Sequence, residues 1–197
     1  MDACLRLLAR RSVLAAAIDT QQRVDRLVHL CEGRMAPGEP DGTLLAALHE
    51  RQQAMHGHVT HALGQWWRHA HRFTQLTHLL PTQIGPLASR PERQTVADWQ
   101  RLIEIRVRGG SGVSNEAFDA ALSRCMQAQR ISDSAMTASL RSLGVLAAAE
   151  SSWRLGRLSA PALADALLRA FEDRQALIDA EAERSCACDW LEALTVC

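Results

Sequence analysis

The stretch TLLAALHERQQAMHGHVTHALGQWWRHAHRFTQLTHLL, running from Thr43 to Leu80, decides the class of fold. Leu44, Leu48, Met55, Val59, Leu63, Trp66, Ala70 and Phe73 recur at steps of three, four or seven residues. At about 100° per residue they fall on one face of a helix. The Ala, Leu, Gln and Glu residues of the stretch are good helix formers, and Pro81 stops the pattern. No run shows the period-two alternation of a strand. The one candidate, Ile103 to Val107, sits inside a helical pattern just before glycines. The stretch predicts a long amphipathic helix from Thr43 or Leu44 to about Leu80.

The same reading extends in both directions. Upstream, Leu7, Leu14, Ala17, Val24, Val28 and Cys31 follow heptad spacing, which predicts a helix over about 3–32 with Gly33 as its stop. Downstream, Pro81, Pro86 and Pro91 mark a connector, and Ser89-Arg90-Pro91-Glu92 is a capping signal for a middle helix over about 90–107. Gly109-Gly110-Ser111-Gly112 reads as a flexible loop or a man-made linker. Ser114 caps a helix expected over about 115–155, with a break at Ser132-Asp133 and Gly156 at its end. Ser159-Ala160-Pro161 opens a last helix over about 160–183, with a kink at Ser185 to Cys188 and a resumption to Leu194. The expected fold is all-α. Two long antiparallel helical hairpins, residues 1–80 and 113–197, form a helical bundle or coiled coil, joined by a connector over 81–112.

Charge narrows the function classes. The 22 basic residues are all Arg and balance 22 Asp and Glu, so the chain lacks the cationic surplus that nucleic-acid binding through bulk charge requires. The absence of Lys excludes lysine Schiff-base and phosphate-lysine chemistry; it fits a GC-rich coding sequence or a protein that avoids modification at lysine. No apolar run reaches the roughly 18 residues of a membrane span. Arg6, Arg10 and Arg11 ahead of Ser12 to Ile18 resemble a signal peptide, but Asp2 and the continuing heptads favour a helix. The cysteines, Cys4, Cys31, Cys125, Cys186, Cys188 and Cys197, show neither redox nor paired zinc spacing. They are expected as small core residues and free thiols in a reducing, cytoplasmic compartment. Walker A, dinucleotide-glycine, Gly-x-Ser-x-Gly and His-Glu-x-x-His motifs are all absent, so a non-enzymatic protein without an obligatory cofactor is expected.

The two hairpins match at an offset of 118 residues. Gly38 aligns with Gly156, Asp41 with Ser159, Leu45 with Leu163, Ala46 with Ala164, Phe73 with Leu191 and Leu76 with Leu194. Trp153-Arg154-Leu155-Gly156-Arg157-Leu158-Ser159, followed by Leu163, Asp165, Ala166 and Arg174, resembles the helical hairpin repeats of TolC-like outer-membrane efflux factors. That resemblance implies a trimeric α-barrel duct in the cell envelope, with the turns at Gly38–Asp41 and Gly156–Ser159 meeting a partner protein. This chain departs from such factors in having no β-barrel segments and no turn tyrosine.

Two further features carry candidate sites. All eight His lie between His29 and His78, but a rise of about 1.5 Å per residue spreads them too far for one centre. Only His58 and His61 have the i, i+3 spacing that suits a shared transition metal, and further ligands would have to come from another helix. Trp66 continues the apolar stripe, whereas Trp67 projects about 100° away and is expected at a partner interface or in a second packed layer. The expected function is a helical scaffold or adaptor acting through protein–protein contacts as a homo-oligomer, in its specific form a TolC-like duct component. The alternative is a metal-binding or metal-responsive helical protein.

Overall fold

A computed structural model describes residues 2–33, 42–84, 101, 104 and 115–196. Four long helices dominate: α1 Asp2–Glu32, α2 Gly42–Thr77, α3 Asn115–Arg154 and α4 Ala160–Val196. A 3-10 turn, Pro81–Gln83, follows α2. Among the described residues there is no strand, and the all-α reading holds. The middle helix and the Gly109–Gly112 loop lie outside the described residues, although Arg101 and Glu104 are helical.

Cross-helix pairs fix the topology. Leu7 packs with Ala70 and Phe73, and Asp25 bonds Gln52, so α1 and α2 are antiparallel. Arg6 pairs with Glu183 and Arg10 with Asp179, so α4 also runs against α1. Cys125 meets Cys188 near one end of the second hairpin, and Leu146 packs with Leu163 near the other. Helix α4 packs on all three others, whereas α3 lies along α4 and reaches α1 through the Arg23–Glu150 ion pair.

The core is continuous at one end of the bundle and divided at the other. Val24, Leu27 and Val28 of α1 join Leu48 of α2, Leu146 of α3 and Leu163 and Leu167 of α4 in one cluster. Next to it, Val13, Ala16 and Ala17 meet Met55, Ala62 and Phe171. Farther along, each hairpin closes its own cluster. Leu7, Ala70 and Phe73 close the first, and Phe118, Ala121, Cys125, Ala187, Cys188 and Leu191 close the second. Glu183 spans the divide, accepting hydrogen bonds from Arg6 of α1 and Arg124 of α3.

Several local expectations are corrected. Ala62 is buried and Leu63 exposed, because at about 100° per residue Ala62 falls about 40° from Leu48, inside the buried stripe, whereas Leu63 falls about 60° away at its edge. The helix ends at Thr77, not Leu80: His78 adopts a left-handed φ of 59° while its N–H still donates to Thr74 O. Helix α3 runs unbroken through Ser132-Asp133. Ser132 is fully buried in a seam of small residues, Ala121, Cys125, Ala128, Ser132, Ser139 and Ser142, that lets α3 and α4 approach closely. Helix α4 continues through Ser185–Cys188, where Ser185 Oγ donates to Glu181 O and so keeps its polar group satisfied within the helix.

The expectation of free thiols throughout is also overturned. Cys125 and Cys188 are disulfide-bonded, with Cα atoms 5.4 Å apart. They lie 63 residues apart in sequence, a separation at which no local spacing signals the bond. Closing a loop of that size contributes roughly 4 kcal/mol in the chain-entropy account.

Candidate partner-binding surface

The buried stripe of α2, Leu48, Met55, Ala62, Ala70 and Phe73, turns its opposite flank to solvent. Trp67 sits on that flank, 61% exposed, with Leu63 one turn before it at 42%. Trp66 is half-buried beside Leu7, Ala70 and Phe73. It supports Trp67 through an edge-to-face contact with ring centroids 5.0 Å apart. The pair thus has an inner ring anchored in the core and an outer ring presented to solvent. Among the described residues no second packed layer covers Trp67.

Further apolar side chains stand exposed near the helix end. Leu76, Leu79 and Leu80 are exposed. The 3-10 turn behind them is closed by Gln83, whose Oε1 accepts from Leu80 N at 2.8 Å while its own N–H donates to Leu80 O. Ile84 then folds back onto the Leu7–Phe73 cluster.

The hairpin turn at Gly156–Ser159 is built from local rules. Gly156 takes φ +69°, its N–H donates to Trp153 O, and Arg157 N–H donates to Ser152 O. These are the paired bonds of a left-handed helix C-terminus. Ser159 caps α4, its Oγ accepting from Ala162 N at 3.4 Å. Both residues are exposed, so the turn is accessible while each has a structural task of its own. Gly38 and Asp41, the matching positions of the first hairpin, lie outside the described residues.

The histidines separate by neighbour. His58 leans on α4, edge-to-face with Phe171 at 5.3 Å and 3.9 Å from Glu172. His61 is exposed and bonds Gln65. Among the described residues no group of three His, Cys, Asp or Glu converges as a metal set. His29 and His49 both approach Glu32. Asp25 accepts from Gln21 and Gln52, each at 2.8 Å, in a shallow polar groove that His29 and His56 also line. His69 is the histidine with a depressed pKa: burial comes first, then the positive charges of Arg10, Arg6, Arg72 and Arg68. Arg51 is held above its ordinary range by its hydrogen bond to Asp165, which links α2 to α4.

Two features escaped the sequence reading, the Cys125–Cys188 bond and the burial of Arg184 in α4. Both depend on which helix faces which, and neither leaves a mark in local spacing. Family models, curated proteins and solved structures give no match to the chain.

Proposed function

We propose that the chain is a non-catalytic helical scaffold that self-associates through the outer face of α2. Trp67 carries this reading. A large aromatic ring held rigidly by Trp66, and standing 61% exposed, is the residue type most enriched at the centres of protein interfaces. Leu63 beside it widens the apolar contact.

The specific form of the proposal is a TolC-like duct component, an elongated trimer whose hairpin turn at Gly156–Ser159 meets a partner. The resemblance of the Trp153–Ser159 turn supports that form, and the exposed position of the turn is compatible with it.

Light scattering coupled to size exclusion, with dimensions from solution scattering, tests both levels. An oligomer that Trp67→Ala returns to monomer supports the scaffold, and an elongated trimer supports the duct form. A compact monomer, unchanged by the substitution across micromolar concentrations, overturns self-association. Because Trp67 lies outside the core, Trp67→Ala is expected to change stability by less than about 0.5 kcal/mol, so lost association would not reflect unfolding.

A further inference from the structure

We propose that the groove between α1 and α4, at the divided end of the core, binds a short fatty carboxylate, with its head group on Arg184 and its chain along Leu5, Leu8, Leu177 and Ile178.

The argument starts from Arg184. Its guanidinium keeps its charge in a protein whatever its surroundings, yet the residue is only 5% exposed. Arg6 and Arg124 share Glu183, and Arg10 has Asp179. Glu183, next in sequence to Arg184, is therefore already engaged across the divide. Arg184 has one polar partner among the described residues, the neutral Gln129, at 3.5 Å and at the limit of hydrogen-bond range. Its Nε is buried with no partner among the described residues. Glu181, one turn earlier, is the carboxylate of the same lining, and no ion pair joins it to Arg184 among the described residues; an anion in the groove would add charge-assisted hydrogen bonds to the part of Arg184 that lines it.

The surroundings specify the anion further. Arg184 lines a groove of about 240 Å³, whose walls are Leu5 and Leu8 from α1 and Leu177 and Ile178 from α4. Leu177 precedes Arg184 by seven residues, about 10 Å along the helix axis. A head group on Arg184 thus leaves room for an aliphatic tail laid along the leucines. Arg174, at the far end, is about 15 Å from Arg184 on the same measure and cannot share the head group. Glu181 is the acidic residue of the lining. Its carboxylate disfavours a multiply charged ligand such as a phosphate ester more than a monocarboxylate.

The test is calorimetric titration of the oxidised protein with acetate, butanoate, hexanoate and octanoate, and with octanol as the uncharged control. Affinity is expected to rise about fourfold per methylene until the groove is full. Octanoate should bind at least about tenfold more tightly than octanol. Arg184→Met should abolish that preference for the carboxylate, and it should unfold no earlier than the wild type, because it removes an unpaired buried charge. Glu181→Gln should tighten octanoate binding.

Equal affinity for octanol and octanoate overturns the proposal. So does an absence of chain-length dependence, an absence of octanoate binding, or octanoate binding that Arg184→Met leaves unchanged. Arg184→Gln keeps a polar group near Gln129 and loses the charge. If Arg184→Met fails to fold, the same octanoate–octanol comparison is read on Arg184→Gln, where a retained preference for the carboxylate counts against the site.

Discussion

The two hairpins share a register and differ in what holds them. Moving α2 forward by the 118-residue offset places its ends at 160 and 195, within one residue of the ends of α4. Core positions also correspond. Leu7, Ala70 and Phe73, which pack together in the first hairpin, fall on Cys125, Cys188 and Leu191, which pack together in the second. The first hairpin fills that place with apolar bulk, and the second fills it with a covalent bond between small side chains. The lesson is that one backbone geometry accepts two chemistries, and that each suits its setting. Helix α1 is covered by α2 and α4 and has apolar partners on both sides. Among the described residues helix α3 rests lengthwise on α4 alone and leaves Ile131, Leu140, Leu143 and Val145 exposed, so it buries less and gains more from a staple.

Removing the staple should break the second hairpin selectively. The double substitution Cys125→Ser with Cys188→Ser is expected to lower stability by roughly 4 kcal/mol in urea unfolding. Hydrogen exchange should rise first in α3 and the C-terminal half of α4. Equal loss of protection in α1 and α2 would show that the hairpins do not differ in this way.

The converse change belongs to the first hairpin. Met55 is fully buried against Val13, Ala16, Ala17 and Phe171. Met55→Ala should cost about 3 kcal/mol, with exchange rising in α1 and α2 while the Cys125–Cys188 end stays protected. A cost under about 1 kcal/mol would mean that this core is looser than its packing indicates.

Smaller effects are expected at the turn of the second hairpin. Gly156→Ala places a Cβ on a residue with φ +69° and should cost about 1 kcal/mol. Ser159→Ala removes the cap of α4 and should cost at most about 1 kcal/mol. Thermal unfolding of the two variants, each with intact oligomeric state, separates these structural tasks from any role in partner contact.

The smallest expected effect is a pH dependence confined to the first hairpin. His69 has a folded pKa below its unfolded value of about 6.5. The unfolded chain therefore takes up this proton first as the pH falls. The stabilising contribution is full above about pH 6.5 and declines as the pH drops through the lower folded pKa. His69→Gln should remove that part of the decline in urea midpoints measured between about pH 7.5 and 5.5. An unchanged slope would place the pH dependence elsewhere.

Legibility followed the range of the interaction. The stripe Leu48, Met55, Ala70 and Phe73 was readable because helical period is local, yet Leu63 in place of Ala62 was misplaced because size suggested the leucine while its angle puts it at the edge of the stripe. Of the candidate site, the outward direction of Trp67 followed from its angle to Trp66, but its support by Trp66 required coordinates. His58 and His61 have the spacing of a chelating pair, and only packing showed that one turns to Phe171 and the other to Gln65.

By itself the sequence determined that the chain is helical and roughly where each long helix starts and stops. Periodicity, capping and left-handed glycine act within a few residues of one another. Only the tertiary structure decided that Cys125 meets Cys188 and, among the described residues, that α3 has a single lengthwise partner and that Arg184 is buried with its Nε unpaired. Those outcomes depend on which faces of distant helices are brought together. Ala-rich helices offer several faces of nearly equal apolarity, so the choice among them is made by packing across the whole bundle.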